Sequence, residues 1–355
     1  MGNRRSYVYR VVLGPEICGN RRPSIFLALF REGRTLLRIV VLITIAALFV
    51  CFTLTAASAD GPRRIIYSTD IGDDIDDAFG LVFALNSPEL EVDSVVNSYG
   101  ATQRRAPLTA KLLEIAGRRD VPNIIGRHTD YWLSSSGGNQ FPWAEGFVYT
   151  RPPVTDGWRA MARRIMNAPG KVTLVPVGPL TDIADLLENE PKVKDKIDEI
   201  ILMGGSVYYG YNMSRGMARE YNIRGDSKAA QVVFTSGVPI VMIGLDVTAM
   251  MQPSDEDMAA LAATEKPLAK ACHELYEYWA ETNRQRGRST TPTMFDSVAV
   301  AVVFQRDLCK YEEMRIQVDD LGFTRKVEGE PNAIVGVEVD KDRFFKLFWE
   351  RIMKR

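Results

Sequence analysis

Five aspartates crowd into eight positions of one segment: Asp70, Asp73, Asp74, Asp76 and Asp77, in the run TDIGDDIDDA over 69–78. Carboxylates this close repel one another, which raises their pKa values unless a cation neutralises them. The natural counter-charge is a hard divalent ion with oxygen ligands, calcium or magnesium. The same run also reads as a solvated acidic loop in which Asp77 supplies the negative charge favoured at a helix N-terminus. An EF-hand is excluded, because the closing glutamate and the flanking helices are missing. The chain has only two histidines, His128 and His273, and no Cys or His spacing spells a zinc site, so a metal here must be held by oxygen.

Elements must position these groups. RIIYST (64–69) is a short β-prone run that empties into the acidic loop, and 77–85 reads as a helix with Leu81 and Leu85 on one face. The alternation recurs: a strand over 92–98 precedes a helical stretch from about Pro107 to Ala116, and a strand over 172–177 precedes a helix over 180–187. Buried strands at 200–203 and 240–245 each end in Gly or an acidic residue, where the chain must turn. This pattern predicts one α/β domain with a doubly wound, mostly parallel central sheet flanked by helices. Such sheets bind ligands beyond the carboxyl ends of their strands, which is where the acidic run falls.

Bulk properties narrow the partners. The 355 residues carry a net charge of −1, and 46% are hydrophobic, ample for a substantial core. Beyond residue 60 no Lys/Arg cluster is interleaved with aromatics, so a small molecule rather than nucleic acid is the expected partner. No internal repeat is present, which sets solenoids aside. The start of the chain reads differently: Arg31, Arg34 and Arg38 precede an uncharged apolar run over 39–57 that ends in Ala57-Ser58-Ala59. We expect a leader over 1–59 and a functional domain over 60–355. The leader is either a signal peptide removed before Asp60 or a membrane anchor formed by 39–57, so the domain is expected to be exported, periplasmic or extracellular, with membrane contact only through the leader. Cys18 and Cys51 fall in the leader, leaving Cys272 and Cys309 as one disulfide or two buried thiols.

The acidic segment resembles the amino-terminal fingerprint of the inosine-uridine nucleoside hydrolase family, in a variant form whose loop is two residues longer. Further resemblances follow in order: Gly178-Pro179-Leu180-Thr181-Asp182, Met203-Gly204-Gly205, Glu220-Tyr221-Asn222, Gly244-Leu245-Asp246-Val247-Thr248 and Phe295-Asp296-Ser297. Together they run from about Arg64 to the carboxyl terminus. The resemblance implies the nucleoside hydrolase fold, calcium as cofactor, and hydrolysis of the N-glycosidic bond of ribonucleosides to free base and ribose. It implies that Asp70, Asp77, Asp296 and the backbone carbonyl of Val177 ligate calcium, and that Asp70 is the general base delivering a calcium-bound water to the anomeric carbon. Bond breaking passes through an oxocarbenium-like state, which carboxylates around the sugar stabilise. Asp76, Asn212, Glu220 and Asn222 match that role, with Asp76 at the ribose hydroxyls and Glu220 and Asn222 at the opposite edge. Members of the family are often dimers or tetramers, so a homodimer or homotetramer is an expected state.

Three positions depart from the family pattern. Ser68 stands where an Asp is usual, with hydrogen-bonding capacity that is expected to retune the loop, and Ala101 follows Gly100 where Asn is common. The longer loop leaves open whether Asp73 or Asp74 joins the metal's surroundings. Specificity turns on Phe295, which replaces the His of base-tolerant members. Phenylalanine cannot protonate a leaving base, but its face can stack on a purine, and a purine preference is the expectation. The other reading makes Phe295 a core aromatic, with the acid supplied by Tyr208 or Tyr211. Trp132, Phe141 and Trp143, beside the Gly/Ser-rich stretch 133–138, are candidates for an opposite wall. The departures also motivate a second class of function, a non-catalytic calcium-dependent protein that captures nucleosides or ribosyl compounds, although retention of Asp70 weighs against it. A calcium-binding phosphatase fits poorly, because none of the later motifs serves phosphate transfer.

Overall fold

Strand β1 (Arg63–Thr69) is buried from Ile65 to its end, as a central strand covered on both faces must be. In the computed structural model, which describes residues 61–130 and 138–354, it lies inside a nine-stranded sheet. The readings that concern the leader over 1–59, Asp60 as a mature start, and Trp132 lie outside the described residues. The other strands are β2 (Leu90–Asn97), β3 (Asn123–Ile125), β4 (Val172–Pro176), β5 (Ile197–Met203), β6 (Ile240–Ile243), β7 (Cys309–Val318), β8 (Thr324–Val327) and β9 (Ala333–Val339). Their order is β3-β2-β1-β4-β5-β6-β9-β7-β8. All pairings from β3 to β9 are parallel, and β7 runs antiparallel to both β8 and β9.

The expected doubly wound, mostly parallel sheet is therefore present, with an antiparallel ribbon at one edge that periodicity did not reveal. In β7 the polar residues Glu313, Arg315 and Gln317 alternate with Met314, Ile316 and Val318, so the strand is only half-buried and lacks a continuous apolar run.

Helices cover both faces. On one side lie α1 (Asp76–Asn86), α2 (Thr102–Ile115), α9 (Pro267–Gln285), α10 (Phe295–Phe304) and α11 (Lys341–Ile352); on the other lie α3 (Gly157–Asn167), α4 (Thr181–Asn189) and α6 (Ser227–Phe234). Between them the chain forms the short helices α5 (Tyr221–Gly225) and α7 (Leu245–Thr248), and α8 (Asp255–Ala262). Every residue of α1 is buried, and α10 is buried from Asp296 to Val303, which is why neither shows a polar stripe. A Cβ at Gly80 would come within 2.5 Å of the Tyr67 hydroxyl and 3.3 Å of Asp296 Cβ, so this glycine permits α1 to lie close to β1 and α10.

Helix α2 begins at Thr102 and carries Pro107 inside it, whereas the sequence pattern placed its start near Pro107. Proline favours a first turn, but tertiary bonds extend the helix backwards: the Thr102 hydroxyl donates to the Gly126 carbonyl at 3.1 Å, and Arg105 is anchored as described below. Cys272 and Cys309 are both buried free thiols, which settles that alternative. Among the described residues no helix is long and apolar enough to cross a membrane.

Candidate active site

β1 has β2 on one side and β4 on the other, so the connections leaving their carboxyl ends diverge and open a crevice, the topological switch point of a doubly wound sheet. Ser68 is in register with Pro176, which brings Asp70 beside Val177 and Gly178. A cavity of about 290 Å³ lies there. Its acidic lining comprises Asp70, Asp73, Asp74, Asp76, Asp77, Glu220 and Asp296; Val177, Met203, Asn222, Tyr211, Tyr221, Trp279, Asn283, Arg288 and Phe295 complete it.

Asp76 and Asp77 open α1, and Asp296 opens α10, so the packing of these two helices brings the three carboxylates together. Each can offer an oxygen within 4.8 Å of the others'. Asp76 accepts the amide of Asp77 at 3.1 Å and that of Asp296 at 3.4 Å. Asp77 accepts a short hydrogen bond from the Thr69 hydroxyl and the Asp70 amide at 3.1 Å. Burial, with repulsion from neighbouring carboxylates added to it, pushes Asp76, Asp77 and Asp296 well above the ordinary carboxylate range. Among the described residues no Lys or Arg forms an ion pair with any of the three. Three buried, mutually repelling carboxylates converging on one point fit a hard divalent cation.

This grouping contains Asp76, where the family resemblance implied Asp70. The Asp70 carboxylate is directed toward Gly178, at which a Cβ would lie 2.5 Å from its Oδ1. Burial raises Asp70 to about 7, against the pull of Arg105 and with a contribution from Asp73. Asp70 thus lies beside the three-carboxylate group, in the same cavity.

Asp73 and Asp74 have distinct places. Arg105, fully buried on α2, donates from Nη2 to Asp73 at 3.1 Å, from Nη1 to the carbonyls of Ile71 (3.0 Å) and Asp70, and from Nε to the Tyr99 carbonyl at 2.9 Å. Asp73 also accepts the Tyr221 hydroxyl at 3.1 Å, so it ties the loop to α2 and α5. Asp74 is half-buried in the cavity wall, and burial raises its carboxyl to about 6. The sequence reading missed Arg105, since an arginine in a helical stretch ordinarily faces water. Ser68 is buried, and its hydroxyl has no hydrogen-bond partner among the described residues, so it does not supply the expected bond.

On the far side, Glu220 caps α5: its carboxylate accepts the amides of Asn222 (2.8 Å), Ile223 (3.0 Å) and Gly205 (3.0 Å). Burial still raises its pKa, opposed by those three donors. Asn222 donates to the carbonyls of Val177 at 2.7 Å and Met203 at 3.1 Å, fixing the end of β4 against that of β5. Asn212 departs from expectation. It is exposed, with φ of 55°, on the turn Tyr211–Met213, and it does not line the cavity; its neighbour Tyr211 does. That left-handed backbone points the two side chains of the turn in different directions, which spacing alone does not reveal.

The aromatics are also rearranged. Phe295 lines the cavity with its ring 6.2 Å from that of Tyr211 in an edge-on arrangement. Tyr208 bonds Glu312 at 2.9 Å outside the cavity. Phe141 and Trp143 are buried elsewhere: Phe141 lies under Arg104, and Trp143 donates to Glu274 at 2.8 Å. The facing wall comes instead from Trp279 and Asn283 of α9 with Arg288 after it, a helix whose apolar periodicity marked only a core element.

A doubly wound α/β sheet whose switch point holds a carboxylate-lined, cation-competent cavity defines a class of protein that handles a small polar molecule beside a metal ion. Residues 65–346 match the model of the inosine-uridine preferring nucleoside hydrolases, and the chain belongs to that family. The chain is 30% identical over 312 residues to the pyrimidine-specific ribonucleoside hydrolase RihA of Citrobacter koseri, covering 81% of this chain and 97% of that one. Its fold is similar to that of a plant nucleoside hydrolase, PpNRh1, with TM-score 0.73, 26% identity, and coverage of 83% of this chain and all of the other. It is likewise similar to that of a purine-preferring ribonucleoside hydrolase from Gardnerella vaginalis, with TM-score 0.71, 24% identity, and coverage of 82% and 98%. The chain is accordingly an enzyme of the nucleoside hydrolase type.

Proposed function

We propose that this enzyme hydrolyses the N-glycosidic bond of ribonucleosides with calcium as its cation and a preference for purine bases. The observation that carries the proposal is the convergence of Asp70, Asp76, Asp77 and Asp296 in one cavity that the rings of Phe295 and Tyr211 also line. Asp77 and Asp296, joined by Asp70 and the Val177 carbonyl, would hold the cation, with Asp76 between cation and ribose. When bound, a divalent cation supplies positive charge that neutralises the carboxylates and acidifies water.

The residues perform the rest. Asp70 accepts a proton as water adds to the anomeric carbon; the carbon–nitrogen bond breaks, and its electron pair leaves with the base, which takes up a proton. Asp76 and Glu220 place negative charge around the sugar as positive charge develops on it, and buried carboxylates act strongly there because little water screens them. Phe295 offers a stacking face to a purine.

The test is release of free base and reducing sugar from inosine, adenosine, guanosine, uridine and cytidine, with and without chelator. Chelator-sensitive hydrolysis, faster on purines and reduced about 10²- to 10⁴-fold in Asp70→Asn, supports the proposal. Faster hydrolysis of uridine and cytidine overturns the purine reading. Nucleoside binding without turnover overturns the enzymatic one in favour of a capture protein.

A further inference from the structure

A second cavity, of about 420 Å³, lies under α3 on the β2–β3 side of the sheet. Arg64 borders it and stands on β1 six residues before Asp70, so at ~3.3 Å per residue the two are about 20 Å apart. Four arginines line this cavity, Arg64, Arg151, Arg163 and Arg164, against a single carboxylate, Asp93. Arg164 grips Asp93 through two nitrogens at 2.7 Å each, and Arg64 adds a third bond at 2.9 Å. One carboxylate thus holds two guanidiniums in fixed orientations.

The other two are left facing solvent. Arg163 bonds Asp156 at 2.6 Å, and more than half of its side chain is exposed. The hydrogen bonds of Arg151 go to the backbone carbonyls of Asp120 (2.7 Å) and Arg119 (3.4 Å), while the carboxylate of Asp120 is itself held by Arg118 at 2.9 Å. Arg64 also pairs with Glu91 at 2.8 Å; with Glu91 and Asp156 included, four guanidiniums still face three carboxylates. The floor is apolar, formed in part by Ile124 and Val154, which a parallel bridge joins.

We propose that this cavity binds an organic phosphate monoester: the arginines take the phosphate, and the apolar floor takes the carbon body. Guanidinium N–H groups match phosphate oxygens: Arg151 and Arg163 supply the movable donors, while Arg64 and Arg164, whose forks are held by Asp93 and Glu91, contribute fixed positive charge and their remaining N–H groups. The site is separate from the acidic cavity, whose carboxylates repel a phosphate, and it does not depend on which nucleoside that cavity accepts.

The experiment is calorimetric titration of the full chain with phenyl phosphate, inorganic phosphate and phenol, repeated at increasing salt. Phenyl phosphate is expected to bind best, to weaken as salt rises, and to lose at least tenfold in affinity in the double variant Arg151→Gln/Arg163→Gln. Both arginines are exposed, so the variant should fold and retain nucleoside hydrolysis. Equal affinity for the two phosphates assigns the site to free phosphate and keeps its chemistry. Absence of binding by either phosphate at millimolar concentration, or binding unchanged in the double variant, overturns the proposal. Tighter binding of a short oligonucleotide than of either phosphate also overturns it.

Discussion

Arg105 and Asp73 form an ion pair at 3.1 Å in which the arginine is fully buried and the aspartate nearly so. The pair joins α2 to the loop that bears Asp70, and the same guanidinium holds two carbonyls of that loop. Asp73 adds negative charge next to a site already rich in it, and Arg105 neutralises that charge from behind without lining the cavity.

Removing Arg105 should therefore damage both stability and site geometry. Breaking one side of a buried pair costs about 3–5 kcal/mol, and a domain of this size should lose about 5–8 °C in Tm. Arg105→Met is expected to show that loss in thermal unfolding, and Arg105→Met/Asp73→Asn should recover part of it, because the stranded carboxylate is gone.

Gly178 should be intolerant of a side chain. A Cβ there would meet Asp70 Oδ1 at 2.5 Å and the Asp70 amide at 3.0 Å. With Asp70 as the proposed base, Gly178→Ala is expected to lower kcat about 100-fold, the cost of displacing such a group by about 1 Å. In an Asp70→Asn background the same change should cost much less, and that non-additivity, measured in a double-mutant cycle, separates displacement of Asp70 from general damage.

Chelation should destabilise the enzyme as well as inactivate it. Asp76, Asp77 and Asp296 repel one another in a buried site, and a cation that binds only the folded state adds about 2.7 kcal/mol at a concentration one hundred times its Kd. The expected result is a Tm that rises with calcium and stops responding to it in Asp296→Asn. An equal rise in that variant would place the bound cation elsewhere.

Asp93 sets a stability term on the β2–β3 side of the sheet. Burial works to raise its pKa, but the guanidiniums of Arg164 and Arg64 outweigh burial and hold it below the ordinary value. A depressed carboxylate pKa contributes stability that is present above the unfolded value of about 4 and lost as pH falls through the folded one. Asp93→Asn should accordingly lower Tm at neutral pH, and the gap to the unmodified enzyme should close in acid, below about pH 4.

Local pattern was enough to predict the strand–loop–helix alternation, the mostly parallel sheet, and the placement of an acidic loop beyond β1, because apolar periodicity and turn residues act over a few positions. The order of short motifs pointed to Asp70, Asp76, Asp77, Glu220, Asn222, Phe295 and Asp296, all of which line one cavity. Tertiary structure alone decided which groups meet. It placed Asp76 with Asp77 and Asp296 by packing α1 against α10, put Asn212 outside and Tyr211 inside through a left-handed turn, and brought Trp279, Asn283 and Arg288 in from a helix that reads as ordinary core. It also buried Arg105 behind Asp73 and gathered four arginines around Asp93. Charged residues carry no periodic signal of their own. Whether such a residue faces water or a partner far along the chain depends on how the layers pack, and that information is absent from any short window of sequence.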